Sequence, residues 1–282
     1  KLSLWVIAAM ISINLSIDNN LTGFQQIKDI LDQKLKVKIS DEVGESISKC
    51  RDYLDKKIAV SEALFYGINT GFGFLQNVKI DATQIEQLQY NLLMSHACGL
   101  GHEVPDAIVK LMLLLKIKSL SYGHSGVQIA TVSGLLALHN NNILPVIYTQ
   151  GSLGASGDLS PLSHMSLPLI GMGEVKINGE KHAVKNIQHQ LGFKPIALQS
   201  KEGLALINGT QFMSAYGMYC LFKTEKLLAF ANAIAAISFD AFDCVKEPLH
   251  PAIHTVRKHK GQFETAKTIT EYLTNSAITQ QA

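Results

Sequence analysis

Residues 151–162 read Gly-Ser-Leu-Gly-Ala-Ser-Gly-Asp-Leu-Ser-Pro-Leu, a run of small residues that leads into a helix start. Gly157 offers an amide nitrogen with little steric cover, and glycine is the residue that best tolerates a strained turn. If the backbone folds tightly, this nitrogen reaches the carbonyl carbon of Ala155. Ring closure would release one water, and loss of the Ser156 hydroxyl would release a second. The stretch therefore predicts a self-made electrophilic ring, with Asp158 placed to assist the proton transfers.

Ser160 and Pro161 are typical of a helix N-cap followed by a proline in the first turn. A helix starting there would direct its positive end towards the ring and stabilise negative charge that develops on it. On composition alone, a plain Gly/Ser loop before a capped helix would explain the same residues, because Ala-Ser-Gly is a common tripeptide. The resemblance of the longer stretch to a family motif favours the ring over that alternative.

The full stretch closely resembles the defining motif of the ammonia-lyases that use 4-methylidene-imidazol-5-one (MIO). Three further segments follow the same family in order and spacing. Residues 66–73 (Tyr-Gly-Ile-Asn-Thr-Gly-Phe-Gly) resemble its mobile tyrosine loop, residues 91–101 its substrate-selectivity helix, and residues 208–211 (Asn-Gly-Thr-Gln) its asparagine motif. From about residue 21 onward the chain resembles an aromatic amino acid ammonia-lyase, most nearly a histidine ammonia-lyase.

The resemblance implies a role for each matching residue. Tyr66 would be the catalytic acid/base, in preference to a loop tyrosine that anchors a turn. Ser95 and His96 would bind the substrate; this polar pair resembles the histidine-selective branch and offers partners for an imidazole. Asn208 would contact the MIO group or the substrate amine with support from Gln211, although a helix-cap or turn role is plausible on local grounds.

The implied reaction is the elimination of ammonia from L-histidine to give trans-urocanate, with MIO formed from residues 155–157 and no external cofactor. Whether the amine or the ring of the substrate meets the electrophile stays open. Two alternatives also stay open: a phenylalanine or tyrosine ammonia-lyase, or a catalytically incomplete fragment that serves only in helical assembly. The family's carboxylate-binding arginine, second tyrosine and acidic partner would fall beyond Ala282. We therefore expect the N-terminal half of a protein that forms a homotetramer when full length.

The expected fold is mainly α, an ammonia-lyase-like long helical bundle with a smaller N-terminal region. Residues 1–200 would form the N-terminal domain that carries the tyrosine loop and the MIO motif, and residues 201–282 the start of the central bundle, truncated relative to the family. A short β-hairpin is expected around Asn178-Gly179, a favoured type I′ turn pair. Helices are predicted over residues 21–36, 41–57, 83–98, 108–120, 126–139 and 202–244. The third would begin with a capping box from Thr83 to Glu86, and Pro105 would open the fourth.

Composition narrows the partners. Hydrophobic residues make up 47% of the chain and the formal net charge is only +2, so a packed core is expected and nucleic acid is excluded as a partner. The four cysteines are widely spaced, as in a reduced cytoplasmic protein. The apolar residues 4–13 are too short to span a bilayer and are expected to form a buried strand or helix end, with a signal peptide as the alternative. No metal or membrane is expected, and His124, His164 and His254 are expected to be structural or exposed.

Overall fold

The computed structural model describes residues 12–15, 24–32 and 35–278, and its fold is mainly helical. Its helices are α1 (Phe24–Asp32), α2 (Asp41–Val60), α3 (Ile85–His96), α4 (Asp106–Ser121), α5 (Ile129–Asn140), α6 (Leu159–Ser166), α7 (Val184–Ile187), α8 (Glu202–Ile207), α9 (Gln211–Ala241), α10 (Pro251–Arg257) and α11 (Lys260–Tyr272). Its strands are β1 (Ser12–Leu15), β2 (Lys36–Ile39), β3 (Leu100–Glu103), β4 (Leu144–Pro145), β5 (Tyr148–Gln150), β6 (Glu174–Ile177) and β7 (Glu180–Ala183). The mainly α prediction is confirmed.

The strands are short and form three small sheets in the part of the chain that the structure describes. β1 and β2 pair in parallel, β3 and β5 pair antiparallel, and β4, β6 and β7 form an antiparallel sheet in that order. The hairpin predicted around Asn178-Gly179 is the β6–β7 pair. Its two turn residues have φ of +52° and +86°, the positive values that a type I′ turn needs.

Helix α4 is the centre of the core. It starts directly after Pro105, as predicted, and nearly all of its apolar side chains are buried. It packs against α5 and also contacts α1 and α2. Leu111, Met112 and Leu113 are consecutive and all fully buried, so the middle of this helix is covered on several sides, which explains its continuous apolar run.

The capping box predicted at the start of α3 is wrong. A short 3₁₀ turn, Ala82–Gln84, precedes the helix, and its cap is Asp81. The carboxylate of Asp81 accepts hydrogen bonds from the backbone nitrogen of Thr83 at 2.9 Å and from its hydroxyl at 2.6 Å. Because the carboxylate is the stronger acceptor, the Thr83 hydroxyl donates to it and does not cap the helix. The helix itself is confirmed and ends at His96.

The single helix predicted over residues 202–244 is two helices. Helix α8 ends at Ile207 and α9 begins at Gln211. Between them Gly209 has φ of +140°, which a helix does not accommodate. At this break, the backbone of Asn208 and Gly209 leaves the helical conformation and contacts other parts of the fold.

The prediction for residues 21–36 holds only in part. Helix α1 covers Phe24–Asp32, and residue 36 begins strand β2. Residues 21–23 and 33–34 lie outside the described residues. Of the apolar segment 4–13, residues 4–11 also lie outside them, and residues 12–13 belong to β1.

The chain divides into two compact units between Gly217 and Met218. The first contains all four family-like motifs. In the second, Ala236 packs with Ile269 and Leu273, while many apolar side chains of α9 are exposed: Leu221, Leu227, Leu228, Phe230, Ile234 and Ile237. The predicted domain boundary between residues 200 and 201 stays a prediction. Among the described helices, none is both long enough and apolar enough to cross a bilayer.

Candidate active site

The tripeptide Ala155-Ser156-Gly157 lies at the surface in a very tight turn. Ala155 and Ser156 are exposed. Backbone bridges join Gly157 to Gly154 and to Ala155, so the chain folds back on itself within the tripeptide. Gly157 has φ of +104°, a value that residues with a side chain rarely adopt. Residues 155 and 157 are therefore neighbours within one tight turn of the backbone.

The turn between α8 and α9 lies directly against this tripeptide. Gly157 and Gly209 form a backbone bridge, and the backbone nitrogen of Asp158 donates to the carbonyl oxygen of Gly209 at 2.8 Å. A Cβ atom on Gly157 would lie 2.4 Å from that oxygen. Only glycine fits at this contact, which brings the asparagine motif and the ring-forming motif together.

Asp158 connects the ring-forming loop to two helices. Its buried carboxylate accepts hydrogen bonds from the backbone nitrogens of Phe212 at 2.9 Å and Met213 at 3.1 Å, and so caps the start of α9. Asp158 also precedes α6, which begins at Leu159. The prediction that Ser160 caps this helix is wrong, because the bond to Gly209 holds Asp158 outside the helical conformation and the helix starts immediately after it.

Asn208 and Gln211 flank Gly209. The backbone nitrogen and the side-chain Nδ2 of Asn208 both donate to the carbonyl oxygen of Leu204, at 3.0 and 3.3 Å, so the amide closes the end of α8. This is the helix-cap role that the local sequence also allowed. Gln211 is the first residue of α9; its Oε1 is buried without a hydrogen-bond partner and lies beside Gly209.

Tyr66 stands in a loop held by its own side chains. Asn69 Nδ2 donates to the carbonyl of Ala63 at 2.8 Å, and Asn69 Oδ1 accepts from the nitrogen of Phe65 at 2.7 Å. The Tyr66 ring is 53% exposed and contacts Phe72 edge-on, with 6.1 Å between ring centroids. Next to it, Gly67 packs so closely on Leu204 of α8 that a Cβ would lie 2.4 Å from Cδ2. The tyrosine loop thus contacts α8, the helix that ends immediately before Asn208.

Ser95 and His96 form the C-terminal end of α3, which packs against α6 and α8. The Ser95 hydroxyl donates to the carbonyl of Leu92 at 3.1 Å, and Nδ1 of His96 lies 2.9 Å from the same oxygen. Ser95 is exposed and His96 half-buried. With these bonds made, the Nε2 edge of the imidazole is the one left for a ligand.

The sequence profile of the aromatic amino acid lyases matches residues 22–282. The chain belongs to the aromatic amino acid lyase family. Among curated relatives, it is 41% identical over 256 residues to the histidine ammonia-lyase of Deinococcus radiodurans, an alignment that covers 91% of this chain and 49% of the relative. The histidine ammonia-lyase of Legionella pneumophila is 41% identical over 89% of this chain and 50% of its own.

Solved structures of this lyase family share the fold. The phenylalanine aminomutase of Pantoea agglomerans has a TM-score of 0.88 at 30% identity, covering 95% of this chain and 51% of its own. The histidine ammonia-lyase of Trypanosoma cruzi has a TM-score of 0.80 at 36% identity, covering 88% and 47%. The chain spans about half the length of the curated relatives it matches.

The candidate site contains a residue that the motifs did not reveal, Lys116 of α4. It is 1% exposed, and its Nζ donates to the carbonyl oxygen of Asn208 at 2.9 Å. Burial lowers the pKa of Lys116 to about 7, against the opposing attraction of the Asp158 carboxylate. One signal was available in the sequence: a lysine inside an otherwise apolar run, where charged side chains are rarely buried without a partner.

The three histidines that were given no role in the chemistry are exposed or structural, as expected. His124 is exposed, and His254 is buried with ring contacts to the carbonyl of Pro248 at 3.0 Å and to Gln262 at 2.9 Å. His164 accepts a hydrogen bond from the backbone nitrogen of Gly99 at 2.9 Å, which ties α6 to the segment after α3, and burial lowers its pKa. The four cysteines are free, and no group of His, Cys, Asp and Glu suited to a metal ion occurs in the described ranges.

Proposed function

We propose that this chain is the N-terminal part of a histidine ammonia-lyase, which eliminates ammonia from L-histidine to give trans-urocanate. The observation that carries the proposal is the tight turn at Ala155-Ser156-Gly157, held against Gly209. Family membership and the histidine ammonia-lyases among the relatives support it. Because the chain spans about half of those relatives, residues beyond Ala282 would complete the site.

The residues present fit an MIO group. Gly157 has the positive φ and the bare Cα that the turn demands, Ala155 has a side chain too small to obstruct it, and Ser156 carries the hydroxyl to be lost. The group, once formed, supplies an electrophile that withdraws electrons from the bound substrate. Asp158 would move protons during ring closure from its position next to Gly157.

Each other residue has a proposed task on the substrate. Tyr66 would take the β-proton at its phenolic oxygen from a loop whose glycines permit movement. Asn208 would hold the amino group at the ring. His96, through its Nε2 edge, and Ser95 would bind the imidazole, and this polar pair favours histidine over phenylalanine or tyrosine.

We also propose a cytoplasmic homotetramer. The unpaired state of Cys50, Cys98, Cys220 and Cys244 supports a reducing compartment. The exposed apolar side chains of α9 form a surface of the kind that subunits bury on assembly. Light scattering on the full-length protein tests the subunit number, and a monomer would contradict it.

The deciding experiment pairs Ser156→Ala with Ser152→Ala in the full-length protein. Both serines are exposed in the same loop, but only Ser156 has a hydroxyl to lose to the ring. We expect wild type and Ser152→Ala to weigh two waters less than their sequences and to release urocanate from L-histidine. Ser156→Ala should not form the methylidene group and should lose at least a thousandfold in turnover.

The substrate assignment has its own outcomes. Faster product formation from phenylalanine or tyrosine than from histidine would replace the histidine assignment and keep the lyase. An unmodified mass for the wild type, together with no turnover of any of the three, would favour the alternative of a non-catalytic helical protein.

A further inference from the structure

Lys116 is a buried amine that contacts the turn beside the ring-forming motif. Its side chain reaches from the middle of α4 through the apolar core and ends on the carbonyl oxygen of Asn208, 2.9 Å from Nζ. A lysine at 1% exposure costs free energy because its charge leaves water. Leucine or methionine would fill the same place without that cost, so the position calls for a reason.

The carbonyl that Lys116 holds belongs to the turn that fixes Gly157. Residue 208 is pinned by Lys116, and residue 209 accepts from the backbone nitrogen of Asp158 at 2.8 Å. Asp158 in turn holds the start of α9, which follows the same turn. The Asn208-Gly209 turn is therefore held at residue 208 by the Lys116 amine and at residue 209 by the backbone nitrogen of Asp158.

We propose that Lys116 is a positioning residue for the cyclisation of Ala155-Ser156-Gly157, an inference that rests on the proposed function. Its hydrogen bond holds the Asn208-Gly209 turn in the position where Gly209 contacts Gly157. That contact keeps the tripeptide in its tight turn. Lys116 touches none of the reacting atoms; it acts through the backbone of residues 208 and 209. Without its hydrogen bond, the turn has more freedom and the tripeptide spends less time in the reactive conformation.

The step that depends on this positioning balances without an oxidant or reductant. The nitrogen of Gly157 forms a bond to the carbonyl carbon of Ala155, and the former carbonyl oxygen leaves as water with the protons of the Gly157 and Ser156 amides. Ser156 then loses its hydroxyl and its Cα hydrogen as a second water, which creates the exocyclic double bond. The product is two waters lighter than the sequence.

The test compares Lys116→Met with Lys118→Met in the full-length protein. Methionine has a similar length and no charge or N–H donor. Lys118 lies on the same helix, but its Nζ sits over the Tyr122 ring, 4.6 Å from the centroid, and away from residue 208. Each variant is recovered from inclusion bodies as the uncyclised chain, identified by its full sequence mass, because a ring formed before purification would survive denaturation. It is then refolded, and intact mass is followed over time on the folded fraction, with circular dichroism recording when the helices have formed.

We expect Lys116→Met to regain its helices like Lys118→Met but to lose its two waters at least tenfold more slowly. A purely structural role would slow ring formation only in proportion to lost stability. Ile117→Ala, a cavity variant of the neighbouring buried residue, measures that proportion. Cyclisation of Lys116→Met at the wild-type rate, or at the rate of an equally destabilised Ile117→Ala, would overturn the proposal.

Should Lys116→Met fail to fold, Lys116→Gln makes the same test, since its shorter amide keeps a polar group but does not reach residue 208. Slow cyclisation of the folded protein supports the positioning role, and the wild-type rate overturns it. The wild type itself separates the two proposals. If it never loses two waters, the MIO assignment fails; if it does and the Lys116 variants match it, only the role of Lys116 fails.

Discussion

The carboxylate of Asp158 accepts a hydrogen bond of 2.9 Å from the backbone nitrogen of Phe212, and a second bond comes from the next residue. One side chain thus connects the ring-forming loop to the start of α9. Asp158→Asn keeps the shape but removes the charge that strengthens both bonds and favours the helix start. We expect a loss of about 1–2 kcal/mol in the free energy of unfolding and slower cyclisation, measured by urea denaturation and intact mass. An unchanged urea midpoint would contradict the capping role.

Gly157→Ala and Gly154→Ala form a matched pair. Both glycines have positive φ, +104° and +82°, so each substitution pays roughly 1–2 kcal/mol in backbone strain. Only at residue 157 would the new Cβ also collide with a backbone atom, the Gly209 oxygen; at residue 154 nothing lies within 4 Å. We expect Gly157→Ala to keep the full mass of its sequence and Gly154→Ala to cyclise. Equal cyclisation of the two variants would show that the contact with Gly209 is unimportant.

Tyr66→Phe separates ring formation from turnover. The Tyr66 ring is half-exposed on a loop that contacts α8, and no part of the cyclisation chemistry involves it. We therefore expect the variant to lose two waters normally but to turn over histidine roughly 10²–10⁴ times more slowly, the usual contribution of a general acid or base. The measurements are intact mass and urocanate absorbance, and Tyr53→Phe, an exposed tyrosine of α2, is the control. Normal turnover by Tyr66→Phe would remove it from the mechanism.

Because Lys116 is buried, we expect the free energy of unfolding to change with pH above 7. Its pKa falls from 10.5 in the unfolded chain to about 7 in the fold, so between these values the unfolded chain binds a proton that the folded chain does not. The free energy of unfolding therefore rises as pH increases from 7 towards 10.5, by about 1.4 kcal/mol for each pH unit. We expect the stability of wild type relative to Lys116→Met to rise accordingly in urea denaturation at pH 7, 8 and 9. Parallel curves would show that Lys116 keeps an ordinary pKa.

His139 makes the fold sensitive to acid. Burial lowers its pKa from 6.5 to about 4, with Lys110 adding to the effect. Below pH 6.5 the unfolded chain takes up a proton first, so stability is lost as pH falls towards 4, by about 3 kcal/mol in all. His139→Gln should flatten this part of the profile, measured by urea midpoints from pH 7 to pH 4.5. His124→Gln, at an exposed position, should leave it unchanged.

The sequence predicted those elements whose signal is local. The apolar run of α4, the turn pair Asn178-Gly179 and the glycine-rich loops each carry their information within a few residues, and the structure has them where expected. The ring-forming tripeptide stays a prediction, and its contact with Gly209 could not be read from the neighbouring residues.

Three of the misses depend on contacts that are distant in sequence or on competition between acceptors. Thr83 was expected to cap α3, but Asp81 is the better acceptor. Ser160 was expected to cap α6, but Gly209 fixes Asp158 at that place from across the fold. The role of Lys116 has no local signature, because its partner is 92 residues away. Local propensity does not contain such partners.

The distance in sequence between Asp158 and Phe212 also bears on when, during synthesis of the chain, this contact can form. The contact joins residues 54 positions apart, and the turn at Gly209 that presses on Gly157 lies almost as far downstream. When the ribosome has just added Gly157, the tripeptide is complete, but Gly209, which contacts it in the folded chain, has not yet been synthesised. Under the proposed cyclisation, we expect maturation of the tripeptide to begin only after the start of α9 has left the exit tunnel. A nascent chain arrested earlier in synthesis should carry an ordinary peptide.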